Sequence, residues 1–120
     1  MPRLIIMITM VLGLALYAGG SVLAADGKQL FDFYCAQCHG LTGKGDGPNV
    51  TEDFKTDPRN FTDVAEMQKL SKADVKTVIA DGGAAISKSQ LMPPWSKTIS
   101  AADIDKIAAY VWKLCQCEGK

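Results

Sequence analysis

The chain has 120 residues, 48% of them apolar and 22% charged, and its 13 basic side chains balance 13 acidic ones around a single His. That length holds one small domain and excludes a two-domain enzyme. A neutral balance lacks the basic excess of a phosphate-binding surface, which argues against nucleic acid as partner. The apolar content excludes a disordered chain.

Residues 1–25 read as an export leader. Arg3 and the amino terminus supply positive charge, and no charged residue follows from 4 to 25. Leu4 to Ala18 is nearly all Leu, Ile, Met, Val and Ala. Gly19, Gly20 and Ser21 soften the run, and Val22-Leu23-Ala24-Ala25 offers small residues for a cut after Ala24 or Ala25. The competing reading is an uncleaved membrane anchor. At about 1.5 Å per helical residue the run just spans a roughly 30 Å hydrocarbon core, but Thr9, Gly13 and Gly19-Gly20 weaken it. Either way residues 26–120 form one exported domain, periplasmic in a bacterial cell. A domain of that size has a thin core and profits from a staple.

The first helix is expected over Gly27–Cys38, with Phe31, Tyr34, Cys35 and Cys38 on one face. It runs into Cys35-Ala36-Gln37-Cys38-His39. A C-x-x-C-H string is the attachment signal for c-type haem. On one helical turn, residues three apart share a face, so each thiol can add to one vinyl group of the same porphyrin. His39 then lies under the ring as an iron ligand. A redox C-x-x-C would need a preceding strand and a βαβ pattern, whereas the surroundings read as helix. A zinc site would need two more ligands, and the sequence has no second His.

Gly40–Asn60, with four glycines and two prolines, is a long loop, uncommon in a small domain unless it packs against something. It lacks the spacing of a phosphate loop. A short helix is expected over Asp63–Leu70, capped by Thr62, with Val64, Met67 and Leu70 on one face. Ser71-x-x-Asp74 is a capping-box signal for a helix with Val75, Val78 and Ile79 inward, ended by Gly82-Gly83. Ser100-x-x-Asp103 is a second such signal. It opens the last helix, where Ile104, Ile107, Ala108, Val111 and Leu114 form an apolar stripe. No strand pattern occurs.

From Asp26 to Leu114 the chain resembles a class I cytochrome c. The spacing Gly27-x-x-x-Phe31-x-x-x-Cys35-x-x-Cys38-His39 carries the resemblance. It implies an all-α fold of three to five helices around one covalent haem c. The first and last helices would cross with Gly27 and Phe31 near Tyr110. In this family the second axial ligand is a Met in a C-terminal loop. Past the leader only Met67 and Met92 remain. Met67 sits on a helix face and reads as packing. Met92, followed by Pro93-Pro94 that forbid helix, matches the family ligand. A Pro carbonyl in the family orients the His through its other nitrogen. Pro48, in Gly47-Pro48, is preferred for this over Pro58. Trp95 and Arg59 are candidate donors to a haem propionate, with plain packing as the alternative for Trp95. Trp112 is expected to be partly exposed.

Cys115 and Cys117 depart from the family pattern. They are read as a disulfide in a frayed helix end, an inter-chain link, an adventitious metal site or free thiols.

With both axial positions filled, no substrate reaches iron, and no catalytic constellation is present. The resemblance implies an electron carrier, not an enzyme, shuttling between a redox donor and an acceptor. Lys44, Lys88 and Lys97 flank the expected haem edge and suit transient docking; an ordinary solvated surface is the alternative. A haem subunit of a larger oxidoreductase and a ligand-binding haem protein with Met92 off the iron are the competing functions.

Overall fold

The computed structural model describes residues 23–120. The expected leader therefore lies almost wholly outside the described residues. Five α-helices follow in chain order: α1 (Gly27–Tyr34), α2 (Ala36–His39), α3 (Val64–Met67), α4 (Lys72–Asp81) and α5 (Ala101–Cys115). A 3-10 turn, Gly83–Ile86, follows α4. The described residues contain no strand, and no helix among them is long and apolar enough to cross a membrane. The fold is all-α, as expected.

Local chemistry sets the helix starts. Asp26 and Gln29 form a reciprocal box on α1: the Gln29 N–H donates to Asp26 Oδ1 at 2.9 Å, and the Asp26 N–H donates to Gln29 Oε1 at 3.0 Å. Ser71 and Asp74 do the same on α4, at 3.0 and 2.8 Å. On α5 only half the box forms. Ser100 Oγ accepts from the Asp103 N–H at 3.2 Å, but the Asp103 carboxylate turns to Lys106 at 2.8 Å. On α3 the cap is Asp63, whose carboxylate accepts from the Glu66 N–H at 3.1 Å. Thr62, the expected cap, instead gives its hydroxyl and N–H to Asn60 Oδ1 at 2.7 and 2.9 Å. The short Asn side chain two residues back satisfies Thr62 first, which leaves the cap to its neighbour.

The core forms where α1 crosses α5. A methyl group on Gly27 would fall 2.2 Å from the Lys106 carbonyl oxygen and 3.2 Å from Tyr110 Cβ, so only glycine lets the two backbones touch. Phe31 is completely buried there, its ring 5.2 Å from Tyr110 and 6.1 Å from Phe61. Ile104, Ile107, Ala108, Val111 and Cys115 carry the inward face of α5, while Val75 and Ile79 supply that of α4. Met67 is fully buried in the same cluster. The expected first helix proves to be two. α1 stops at Tyr34, Cys35 (φ −112°) bends the chain, and α2 restarts at Ala36.

The C-terminus turns back on itself. Gln116 holds a left-handed conformation (φ 54°), which costs an ordinary side chain about 1–2 kcal/mol. The Cys115 and Cys117 sulfurs on either side of it are bonded to each other, with their Cα atoms 5.1 Å apart. Among the four alternatives for this pair, the structure takes the disulfide at the helix end. Beyond it, the Lys120 N–H donates to the Leu70 carbonyl at 3.4 Å, and the Lys72 N–H donates to the Lys120 carbonyl at 3.5 Å. A side chain on Gly119 would strike the Trp112 ring at 2.6 Å. Trp112 is half-buried.

Ser71→Ala is expected to lower stability by about 1 kcal/mol, read from a denaturant midpoint. The Asp74 carboxyl is held below its ordinary 3.8, chiefly by the Ser71 N–H. Its contribution is therefore complete above that value and drains away as pH falls through the lower folded value. The variant keeps the Ser71 N–H and loses only the lesser pull of the hydroxyl, so the gap between wild type and variant should narrow slightly in acid. A gap that widens there would contradict the reciprocal box.

Candidate functional site

A helix of four residues leaves nearly all its carbonyls without intrahelical partners. α2 is such a helix: it holds all of the C-x-x-C-H string but Cys35, its N-cap, and its own end meets only the Ala36 carbonyl, through the Gly40 N–H at 2.9 Å. The loop after it supplies what is missing. The Asn49 N–H donates to the Gln37 carbonyl at 2.8 Å, the Gly47 N–H to that of Cys38 at 3.0 Å, and the Gly45 N–H to that of His39 at 2.8 Å. Such close backbone approach needs glycine. A Cβ on Gly47 would lie 2.4 Å from the Gln37 oxygen and 2.6 Å from that of Ala36. Gly45 (φ +84°) sits in the left-handed region, and its Cβ would lie 2.3 Å from the Pro58 oxygen. The return strand of the loop therefore runs directly against the outgoing one.

That contact delivers a carbonyl to the imidazole. His39 Nδ1 faces the Arg59 carbonyl oxygen at 3.2 Å. The expected partner was Pro48. Its flanking amides, on Gly47 and Asn49, are tied to the end of α2, so Pro48 stays exposed on the turn. The orienting carbonyl belongs to the residue after Pro58 instead. With Nδ1 donating to this oxygen, Nε2 keeps its lone pair for a metal. The imidazole also stacks on Phe61, at 4.5 Å between ring centroids and 22° between planes. Burial pushes the His39 pKa below its ordinary 6.5, against the opposing pull of the Arg59 carbonyl. The ring is thus neutral near pH 7, the form that binds iron.

Cys35 and Cys38 carry free thiols. Cys35 is buried, and burial, with Cys38 beside it, pushes its thiol up to about 12. The Arg59 guanidinium does not stand free. Its Nη1 donates to the Glu66 carbonyl at 3.2 Å and to the Glu66 carboxylate at 3.3 Å, which fastens the loop to α3.

Met92 and Trp95 lie on the second loop, pinned to the end of α4. The Gly83 N–H donates to the Met92 carbonyl at 2.9 Å, and the Trp95 N–H donates to the Ile79 and Ala80 carbonyls at 3.0 and 3.1 Å. The side chains of Met92 and Trp95 are half-buried and pack on the core. The Trp95 ring meets that of Tyr34 edge-on at 5.5 Å, which joins this loop to the end of α1 beside Cys35. The structure thus brings together Cys35, Cys38, His39 and the Arg59 carbonyl. It holds Met92 and Trp95 on a loop tied to α1 through Tyr34, and leaves Pro48 outside.

The donor set fits haem. It comprises two unengaged thiols three residues apart, an imidazole with one nitrogen fixed and the other available, and a thioether on an anchored loop. Sequence reasoning missed the Arg59 carbonyl, the Phe61 ring and the amides of Gly45 and Asn49. Phe61 alone left a signal, as an apolar ring at the close of a polar loop.

Residues 22–111 match the family described as cytochrome c oxidase, cbb3-type, subunit III. Cytochrome c-554(547) of Halothiobacillus neapolitanus is 31% identical to the chain over 88 residues, which cover 73% of this chain and 92% of that protein.

Gly47→Ala is expected to force the loop off α2 and to cost about 1–3 kcal/mol of overpacking strain, measured by denaturant unfolding. Unchanged stability would mean that the loop amides do not hold the C-x-x-C-H turn.

Proposed function

The chain belongs to the c-type cytochromes and carries electrons through one covalently bound haem c; from that premise we propose that it is an exported single-electron shuttle whose iron is gripped by His39 and Met92. The observation that carries this reading is the engagement of His39 Nδ1 by the Arg59 carbonyl at 3.2 Å, which reserves Nε2 for iron.

When bound, haem supplies the Fe(III)/Fe(II) couple at neutral pH. The chain's own residues do the rest. Cys35 and Cys38 tether the ring by thioether bonds. The Arg59 carbonyl and the Phe61 ring fix the imidazole plane, so little rearranges as the charge changes. The Met92 thioether, a soft donor in half-buried surroundings, favours the ferrous state and raises the potential. Arg59 uses only Nη1 toward Glu66, and its remaining donors, like the Trp95 indole N–H, suit a propionate. With His39 and Met92 both holding the iron, the chain would leave no place for a substrate there, and the reading is of a carrier, not an enzyme.

Cytochromes c act with redox protein partners. For this chain we place transient docking at the haem edge, with Lys44, Lys88 and Lys97 on the flanking loops giving salt-sensitive encounters. Residues 1–25 would direct export to the periplasm and be removed, with retention as a membrane tether the alternative. The match to an oxidase subunit family over residues 22–111 favours one second reading, a haem subunit held within a larger oxidoreductase. Co-purification with a partner at high salt would support that over a free shuttle.

An absorption spectrum of the purified protein, taken oxidised and reduced after acid–acetone extraction, tests the reading. Colour that stays with the protein and a low-spin iron are expected. Pigment lost to solvent would overturn it. Met92→Ala should lower the potential and let carbon monoxide bind; a spectrum and potential equal to wild type would remove Met92 as ligand. Mass analysis should show the loss of residues 1–25 and the gain of one haem.

A further inference from the structure

Electron carriage makes no use of the two sulfurs at the end of α5. Cys115 is buried in the core, whereas Cys117, beyond the helix, is only partly covered. Cys117 lines a concavity of about 360 Å³ together with Lys72, Trp112, Lys113 and Glu118. An attacking group thus reaches the disulfide at Cys117, through an opening where two ammonium groups outweigh one carboxylate. Such a setting draws a thiolate in.

The segment beyond the bond is poised to move. Gln116 is held left-handed at φ 54° within the small ring that the disulfide closes. Gln116 keeps its N–H on the Lys113 carbonyl at 3.2 Å, and beyond Cys117 the tail is tied down by two backbone hydrogen bonds at the long limit, 3.4 and 3.5 Å. The closed arrangement also buries the Trp112 Nε1–H without an acceptor, a cost that water would relieve on opening.

We propose that Cys115–Cys117 is a thiol–disulfide exchange site for a dithiol reductant, the chemistry of an exported C-x-x-C protein, and that exchange unfastens residues 116–120 from the face of Trp112. The reductant's thiolate bonds to Cys117 Sγ, and the Cys115–Cys117 bond breaks. Cys115 leaves as thiolate and takes a proton. The reductant's second thiol, deprotonated, then attacks its own sulfur in the mixed disulfide, and Cys117 leaves and is protonated. Two electrons and two protons pass to the chain, and the reductant ends as a disulfide. Gln116 then relaxes to ordinary backbone, the two long hydrogen bonds break, and Trp112 meets solvent.

The test uses the native haem protein, kept ferrous with ascorbate throughout so that the iron state is constant. Excess dithiothreitol is the probe, and alkylation followed by mass analysis counts the thiols. Two alkyl groups per chain are expected, at a rate within about a hundredfold of the guanidinium-unfolded chain. Hydrogen exchange in the peptide covering residues 112–120 should rise in the reduced form. Cys117→Ser should show that raised exchange without reductant, at an unchanged haem potential. Slower native reduction, exchange unaltered by reduction, or a Cys117→Ser protein as protected as oxidised wild type would each overturn the proposal.

Discussion

The site depends on one short helix that cannot complete its own hydrogen bonding. α2 has four residues and ends in His39. The carbonyls of Gln37, Cys38 and His39 would each cost about 1–3 kcal/mol if buried without a partner. Three amides of the following loop meet them. That need favours glycine at 47, where a Cβ would strike the Gln37 and Ala36 oxygens, while Asn49 donates with its side chain in place and glycine at 45 answers to the nearby Pro58 oxygen. The close approach of Gly45 to Pro58 then fixes where Arg59 lies, and Arg59 presents its carbonyl to the imidazole. Attachment motif, loop composition and ligand orientation thus follow from one unmet bonding requirement.

The end of α4 repeats the same physics. α4 finishes at Asp81, and the loop carrying Met92 and Trp95 returns amides to its last carbonyls. Gly82 and Gly83 admit this loop because side chains there would meet Met92, Pro94 and Ser89 backbone at 3.1, 3.2 and 2.0 Å. Each candidate axial ligand therefore rides on a segment that terminates a helix. The Tyr34–Trp95 contact ties the Met92 loop to the end of α1, just before Cys35. The thioether and the imidazole are held by different helix ends.

Much of this was legible in the sequence, because it rests on local rules. The box at Ser71, the Ser100 cap that forms half of the expected second box, the stripe on α5, the stop at Gly82 and the buried Met67 each depend on residues within a few positions of one another. The Gly27–Phe31–Tyr110 crossing was legible through family resemblance. What escaped was set at longer range. Pro48 and Pro58 stand in similar local contexts, and choosing between them requires knowing which stretch of loop the α2 carbonyls capture. Thr62 lost the capping role to Asp63 through a side chain at Asn60 that no helix-start rule weighs. The break at Cys35 leaves no mark in periodicity, since both halves keep the same face inward. The Cys115–Cys117 bond depends on a left-handed Gln116, a conformation that the residue type disfavours.

The crossing of α1 and α5 has a bearing on the order of events in the cell. The Lys106 ammonium donates to the Ala25 carbonyl at 3.2 Å, a contact between residues 81 positions apart, and Gly27 and Phe31 await Lys106 and Tyr110 in the same way. Contacts of such separation close late in folding, once nearly the whole chain is present to pair. Until then Cys35, at the bend before α2, and Cys38, on α2, are not yet covered by the folded core. Cys35 is buried in the same finished core as the residues of α5, so a group that must join both thiols has its freest access before that core closes.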